Sequence, residues 1–522
     1  MLQRHDSMRH LRLEYIAAEE FKLPIKQHKD IFTLDEHAFG FILQEKVKIN
    51  LQAKHVHRTG TGLCGELFLI PPNSQCTIEN NSSASAHLIM IRFQCTDKPT
   101  PCSFGVEQPR SLLDDVQLYC FRTPQIRSWI QDFLSDCGSS EPALYYQLQS
   151  HLYAMVAALM MYVQNPREME QDLVAYVEQT RQYMLRKYQE SMDMEDIARL
   201  SGAGSSRFYQ AFRRQTGLSP HKFITKIRLD ASLSLLANTE SSVIDVAHSV
   251  GYPDEYYFSR LFKKHMGITP TEYVARTKRS IACLSPVLCG DLTVLGITPQ
   301  LSLERGWVDE PDKALRLIES SEPGLIITPL VTKDIYQALS EIAPVVMIEW
   351  KKYPWKERLM DISQLFDLSS VAERWLSYFD MKVENARFHV RQHLGEEPVL
   401  LVHAANEHQF RIFGMQMKKM KDLFYDDLQV MPPDPAQHIG AMDVTSLTDV
   451  AALDCDNVLF LVGTAKPEAF CDHLAEHWKE LKRSRRSKRC FFIRHDDPLL
   501  YNASAHEGLI DQTVQYLMNS GS

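Results

Sequence analysis

The chain reads as a multidomain protein in three parts. A β-rich N-terminal region runs into helices, an all-α centre follows, and the C-terminal half is α/β. Three observations carry that reading. The 522 residues, 44% hydrophobic and 24% charged, are ordinary globular composition and fit about three domains of roughly 150 residues each. One pattern is written twice between residues 196 and 273. Short apolar runs separated by turn residues occupy the first hundred positions, whereas strand-like and helix-like segments alternate after residue 281. The three parts are placed at 1–165, 170–278 and 281–520.

In the first part, strands are expected at 39–43, 47–51, 67–70 and 88–93. Gly60-Thr61-Gly62, Pro71-Pro72-Asn73 and Asn80-Asn81-Ser82-Ser83 supply the turns between them. Helical periodicity follows at 125–134 and 144–163, as a connector or dimerisation face. The stretch Glu66-Leu67-Phe68-Leu69-Ile70-Pro71-Pro72-Asn73-Ser74 resembles the strand-to-loop element of the small cupin-like β-barrels that begin many AraC-type regulators. His55-x-His57 with Glu66 echoes a cupin metal motif. The rest of that ligand set is missing, so exposed or structural histidines are expected and no metal.

Net charge is −9, which by itself argues against a nucleic-acid partner, but the charge is unevenly spread. Residues 171–280 carry +4 and the remainder −13, a local basic footprint inside acidic surroundings. The first twenty residues hold no apolar core of a secretory signal, and no run reaches the roughly 18 apolar residues of a membrane span. Eleven scattered cysteines without a C-x-x-C pair read as reduced thiols. A cytoplasmic protein is expected.

The repeat is specific in its parts. Asp196-Ile197-Ala198, Gly202, Phe212-Arg213-Arg214, Gly217, Pro220 and Phe223 return as Asp245-Val246-Ala247, Gly251, Phe262-Lys263-Lys264, Gly267, Pro270 and Tyr273. A short helix, a glycine turn and a second helix ending in a basic pair is a helix-turn-helix. Two of them suit successive major grooves of duplex DNA, about 34 Å apart. Leu173, Val174, Val177, Tyr183 and Met184 form one apolar stripe in this part. Ile227, Ala231, Leu235 and Leu236 form another, on the helix joining the repeats.

The run from Gly251 to Lys264, with Gly267-Ile268-Thr269-Pro270-Thr271-Glu272-Tyr273, is similar to the AraC/XylS-family signature over about 100 residues. Gly204 departs from it, standing where the family often has a polar residue. The N-terminal half of each second helix should enter the groove. Ser206, Arg207, Tyr209 and Gln210 face outward in the first unit, and Asp254, Glu255, Tyr256 and Arg260 in the second. Gln can bond adenine, Arg guanine and Glu cytosine. The resemblance implies base-facing positions for Ser206, Tyr209, Gln210, Glu255, Tyr256 and Arg260. Arg213, Arg214, Lys263 and Lys264 are read as phosphate contacts. Phe208, Phe212, Phe258 and Phe262 are read as core.

After Ile281, strands are expected at 281–284, 325–328, 345–349, 399–403, 409–413, 458–462 and 489–493. Helices fall at 334–342, 355–366 and 467–481, and an unbroken connecting helix at 369–394. A doubly wound, bilobal α/β fold follows. Val294-Leu295-Gly296-Ile297-Thr298-Pro299, Glu322-Pro323-Gly324-Leu325-Ile326-Ile327, the segment Leu339 to Val346, and Val371-Ala372-Glu373-Arg374-Trp375-Leu376 resemble the iron-siderophore and cobalamin class of substrate-binding proteins. The three-part order resembles the bacillibactin-uptake regulators of Gram-positive bacteria. That resemblance implies an activator of siderophore-uptake genes, stimulated by a ferric catecholate siderophore. Promoter DNA and RNA polymerase would be partners, a homodimer is an option, and no cofactor is expected beyond the effector.

Ligands of such folds sit between the lobes, at loops after strand ends. Lys333, Lys351, Lys352, Arg411 and Lys418 are the candidate anion-binding residues, with Lys356 and Lys419 nearby. Trp350, Tyr353 and Trp355 are candidate stacking or packing residues. The basic run Lys482, Arg483, Arg485, Arg486, Lys488 and Arg489 is read as a solvated helix end. No catalytic motif points to an enzyme: G-x-S-x-G, P-loop and H-E-x-x-H are missing, and no G-x-G-x-x-G lies in a suitable place. His473 and His477, four apart, read as a surface pair. The effector could also be a corrinoid or ferric citrate, or the C-terminal part could serve dimerisation alone.

Overall fold

A computed structural model describes residues 11–53, 56–97, 116–123, 126–135, 142–164, 169–238, 241–350, 353–482, 489–495 and 499–520. The chain divides into two compact units, one of residues 1–186 and 192–211, the other of 187–191 and 212–522.

Among the described residues of the first unit there are nine strands: β1 (Leu11–Leu23), β2 (His28–Thr33), β3 (His37–Gln44), β4 (Val47–Ala53), β5 (Val56–Gly62), β6 (Leu67–Ile70), β7 (Ser74–Glu79), β8 (Ala86–Asp97) and β9 (Cys120–Phe121). They pair antiparallel in two sheets, ordered β1-β8-β3-β6-β9 and β2-β7-β4-β5. Alternation turns Ile31, Val47, Ile49, Leu51 and Ile78 of the second sheet against Ala38, Ile42, Phe68 and Leu88 of the first, in one core. Each aliphatic side chain so buried contributes about 1.5–3 kcal/mol.

Where a cupin-like barrel is expected, the strands form two facing sheets around one core, without a closed barrel. Among the described residues the ladders end at β1 and β9 in one layer and at β2 and β5 in the other, and no strand pairing closes the gap. The sequence reading also missed β1, where a register shift between Tyr15 and Ala17 breaks the alternation. Gly60-Thr61-Gly62, expected as a turn, lies at the end of antiparallel β5, and Gly65 follows it without opening a helix, so this glycine run is no nucleotide loop. His55 lies outside the described residues, and Glu66 pairs with Arg122 at 3.1 Å. No group of three or more metal-ligating side chains occurs among the described residues.

Helices α1 (Ile126–Ser135) and α2 (Pro142–Gln164) follow the sheets. Helix α2 serves partly as a cover for β1. Leu13 donates its backbone N–H to the Tyr153 hydroxyl at 3.1 Å, and Tyr15 donates to Gln149 Oε1 at 2.9 Å. Helix α3 (Met169–Lys187) buries Tyr176, Val177, Tyr183 and Met184, close to the expected stripe. It leads to α4 (Met194–Leu200) and α5 (Ser205–Thr216).

The second unit opens with α6 (Pro220–Asn238), α7 (Val243–Ser249), α8 (Glu255–Met266) and α9 (Pro270–Thr277). On α6 the buried stripe is Leu229, Leu233 and Leu236, with Ile227, Ala231 and Leu235 at its half-buried edge. The expected stripe was therefore rotated by part of a turn. Beyond α9, parallel strands β10 (Ile281–Cys283), β11 (Leu301–Ser302), β12 (Leu325–Thr328) and β13 (Val345–Met347) form a sheet ordered β11-β10-β12-β13. Helices α10 (Pro286–Val294), α11 (Pro311–Ser320), α12 (Lys333–Ile342) and α13 (Trp355–Gln364) complete this lobe.

A 25-residue helix, α14 (Ser369–His393), then leads into the second lobe. Its sheet is mixed, ordered β16-β15-β14-β17-β18 from β14 (Val399–Asn406), β15 (Gln409–Phe413), β16 (Ala441–Val444), β17 (Asn457–Gly463) and β18 (Cys490–His495). Helices α15 (Glu468–Leu481) and α16 (Ala503–Ser520) flank it. Two separate sheets joined through one long helix make the C-terminal part bilobal. A continuous apolar core runs from Leu233, Val246, Phe258, Phe262 and Tyr273 through Leu292, Trp355, Trp375 and Phe379 to Leu401 and Leu459. The second helix-turn-helix is thus packed into the α/β part, not hung from a tether. No helix among the described residues is long and apolar enough to cross a membrane.

Candidate DNA-reading helices and anion cleft

Local chemistry fixes each short helix. Asp193 caps α4 by accepting from the N–H groups of Glu195 (3.0 Å) and Asp196 (3.1 Å). Ser242 with Asp245 and Thr269 with Glu272 form capping boxes on α7 and α9. Asp254 accepts from Tyr257 N–H at 2.8 Å and caps α8, so its carboxylate is engaged at the helix start. Gly267 ends α8 in the left-handed region that glycine enters at low cost, at φ 78°.

The two second helices carry nearly the same burial pattern at matching repeat positions. In α5, Phe208 and Phe212 are fully buried while Ser206, Arg207, Gln210, Arg213 and Arg214 are exposed. In α8, Phe258 and Phe262 are fully buried while Tyr256, Arg260, Lys263 and Lys264 are exposed. Tyr209 is half-buried, and burial, with Glu195 and Asp193 behind it, pushes its hydroxyl up. Glu255 is half-buried too. Tyr256 stands out at 79% exposed, a large aromatic face open to a partner. Arg260 reaches back to the Tyr256 carbonyl at 3.4 Å, which holds its guanidinium along the exposed face.

In the α/β part a cavity of about 600 Å³ lies at the C-terminal ends of β10, β12 and β13, where open α/β sheets take ligands. Arg305, Trp307, Leu330, Ile348 and Trp350 are among its walls. Trp307 is fixed by donating its Nε1–H to Leu284 O at 3.0 Å. Lys419 donates to the Leu499 carbonyl. Burial, then the charges of Arg305 and Arg411, push its ammonium down to about 8. The charges of Arg305 and Arg411 thus both act on Lys419, although of the three only Arg305 lines the cavity.

The candidate ligand residues fare unequally. Arg411 acts on Lys419 and is held bidentately by Asp443 at 2.6 and 2.8 Å. Lys333 is exposed at the first position of α12, and Lys418 is exposed beside Lys419. Neither is among the walls of the cavity. Lys351 and Lys352 fall outside the described residues, as do Arg483, Arg485, Arg486 and Lys488. Lys482 is buried, donating to Leu453 O at 3.0 Å, rather than solvated. Trp355 is not a ligand face: it is buried with its ring 4.8 Å from Phe379 and 4.9 Å from His506. Lys356 is committed to Asp380 and Asp427, each at 3.1 Å. Sequence reasoning missed Arg305. Its position after the two-residue strand β11 gave no strand-end signal.

Comparison with known proteins agrees with this division. Residues 197–276 match the family described as a helix-turn-helix domain, and residues 321–483 the family described as periplasmic binding protein. The HTH-type transcriptional activator Btr of Bacillus subtilis is 23% identical over 531 residues, spanning 94% of this chain and 96% of that protein. The lactose operon transcription activator of Staphylococcus xylosus is 35% identical over 86 residues, 16% of this chain and 31% of that one. Among solved structures, the FhuD fold-family periplasmic binding protein component of a Fep/Fec-like ferrichrome ABC transporter from Bacillus subtilis is 18% identical, with a TM-score of 0.37. That match covers 46% of this chain and 93% of the other. The chain thus carries a helix-turn-helix domain of the AraC type, followed on its C-terminal side by a domain matching the periplasmic binding proteins, the same order of parts that spans its similarity to the activator Btr.

Proposed function

We propose that the protein is a ligand-responsive activator of ferric-siderophore uptake genes, working in the cytoplasm on promoter DNA. The observation that carries the DNA reading is the repeated helix face. Ser206, Arg207, Tyr209 and Gln210, and Glu255, Tyr256 and Arg260, would read bases, while Arg213, Arg214, Lys263 and Lys264 hold phosphates. The extents proposed are 1–165 for the sheet region and connector, 170–278 for the DNA module and 281–520 for the sensor. RNA polymerase and a second copy of the chain are its proposed protein partners.

The effector reading is supported by a cavity walled by Arg305, Trp307 and Trp350, and by Lys419, whose ammonium feels the charges of Arg305 and Arg411. A ferric tris-catecholate is a multiply charged anion with aromatic faces. Clustered cations offset its charge, and guanidinium and tryptophan groups stack on its rings. The relative spanning nearly the whole chain is called an activator, in line with this direction of control. A ligand shifts DNA affinity only through unequal affinity for two states of the protein.

The test is a titration. Duplex selected by the full chain from a random pool is bound with and without saturating ferric bacillibactin, and with the iron-free siderophore. The ferric form should change duplex affinity at least about fivefold, the lower end of ordinary allosteric coupling. Equal affinity in all three conditions overturns the effector reading. Failure to enrich any sequence overturns the DNA reading.

A further inference from the structure

Helix α14 belongs to the α/β part, yet it touches the ends of both second helices of the repeat. At the end of α8, Ser370 Oγ donates to the Met266 carbonyl. A Cβ on Gly267 would sit 2.8 Å from Ser370 Cβ, so only glycine lets the two helices come this close. At the end of α5, the Arg214 carbonyl accepts from Asn385 Nδ2 at 2.8 Å and from His389 Nε2 at 2.7 Å. A Cβ on Gly217, which sits at φ 76°, would be in van der Waals contact with the same helix, 3.4 Å from Asn385 Cβ, Lys382 Cα and the Met381 carbonyl. The two repeat glycines therefore meet the same helix.

Helix ends leave carbonyls unsatisfied, and here the sensor helix supplies donors to both. Ion pairs tie the joining helix α6 to the same support. Arg374 pairs with Asp230 at 2.8 Å, and Glu507 on α16 bridges Lys226 of α6 (3.1 Å) and Lys382 of α14 (2.8 Å). From Ser370 to Asn385 and His389, α14 rises about 22–28 Å at ~1.5 Å per residue. That is the order of one turn of duplex DNA, about 34 Å.

We propose that α14 is a splint across the two DNA-reading helices, with Ser370, Asn385 and His389 as positioning residues that set which half-site spacing is accepted. The proposal rests on the DNA reading above. It makes the helix joining the lobes and the frame holding the recognition helices one object, so operator geometry depends on residues outside the helix-turn-helix module.

The test uses the full chain and the duplex it selects, compared with the same duplex carrying one extra base pair between its half-sites. The extra pair moves one half-site by about 3.4 Å and rotates it around the axis. The natural chain should lose at least about tenfold in affinity for the longer duplex, roughly 1.4 kcal/mol. The triple variant Ser370→Ala, Asn385→Ala, His389→Leu should bind the selected duplex more weakly, yet lose less than about threefold on insertion. Binding to unrelated duplex, a phosphate property, should not change. Ser370→Ala and Asn385→Ala alone, each removing one side chain that is only half-buried, give the same comparison if the triple variant unfolds. A variant that melts like the natural chain and keeps its full insertion penalty overturns the splint. If the natural chain selects no sequence at all, the DNA reading fails and the splint falls with it.

Discussion

The hydroxyl of Tyr273 donates to the backbone carbonyl of Leu295 at 2.7 Å, out of reach of water. One residue belongs to the last helix of the DNA-reading repeat, the other to the first lobe of the α/β part. Gly296 closes the joint: a Cβ there would lie 2.5 Å from that same hydroxyl and 2.4 Å from Leu233 Cβ. Tyr273→Phe leaves the carbonyl buried without its donor and should cost about 1–3 kcal/mol. Chemical unfolding of the full chain checks this, and an unchanged midpoint would show that the joint contributes nothing.

Arg260 and Lys263 sit on one exposed helix face but are assigned different work. Arg260→Ala should relax preference at one base position at a cost of about 1–3 kcal/mol. Lys263→Ala should weaken all duplexes alike and lower the slope of log affinity against log salt by about 0.9. Binding measured across salt concentrations and across single-base variants of the selected duplex separates the two.

If Lys419 serves the proposed ferric ligand, it gives binding a pH signature. With its ammonium pushed down to about 8, the cation is present below that pH and is lost as pH rises through it. Affinity for a multiply charged ferric catecholate should therefore fall between pH 7 and pH 9. Lys419→Met should bind about tenfold more weakly at pH 7 and lose most of that pH dependence. Fluorescence quenching by the ferric ligand reads both.

His506 is buried between the rings of Trp355 (4.9 Å) and Tyr501 (5.4 Å). Burial, then the charges of Arg358, Lys419 and Lys356, push its imidazole down to about 3. The unfolded chain takes up this proton near the ordinary value of 6.5. Between those values the unfolded state holds more protons, so stability is lost as pH falls below about 6.5, by at most ~1.4 kcal/mol per pH unit for this one group. Melting curves at pH 7.5 and 5.5 should show a smaller drop for His506→Leu than for the natural chain.

Much of this was legible in the sequence where pattern and chemistry coincide. The repeat placed Phe208, Phe212, Phe258 and Phe262 in the core, and the 409–413 strand was read with its observed limits. The long helix was expected at 369–394 and runs from Ser369 to His393. What escaped depended on tertiary contact. Strand β1 hides behind a register shift, and the α6 stripe is turned by packing against elements distant in sequence. Arg305 comes to act on Lys419 only once two lobes fold, and Trp355 is claimed by Phe379, 24 residues on, and by His506, 151 residues on. Residue type alone could not tell a stacking tryptophan from a packed one.

Because Gly217 and Gly267 rest on one continuous helix, the length of α14 fixes their relative phase. An alanine inserted between Ser370 and Asn385 would turn one seat against the other by about 100° and slide it ~1.5 Å. Repeating the duplex selection with that chain should return a different operator, although no DNA-facing side chain had been altered.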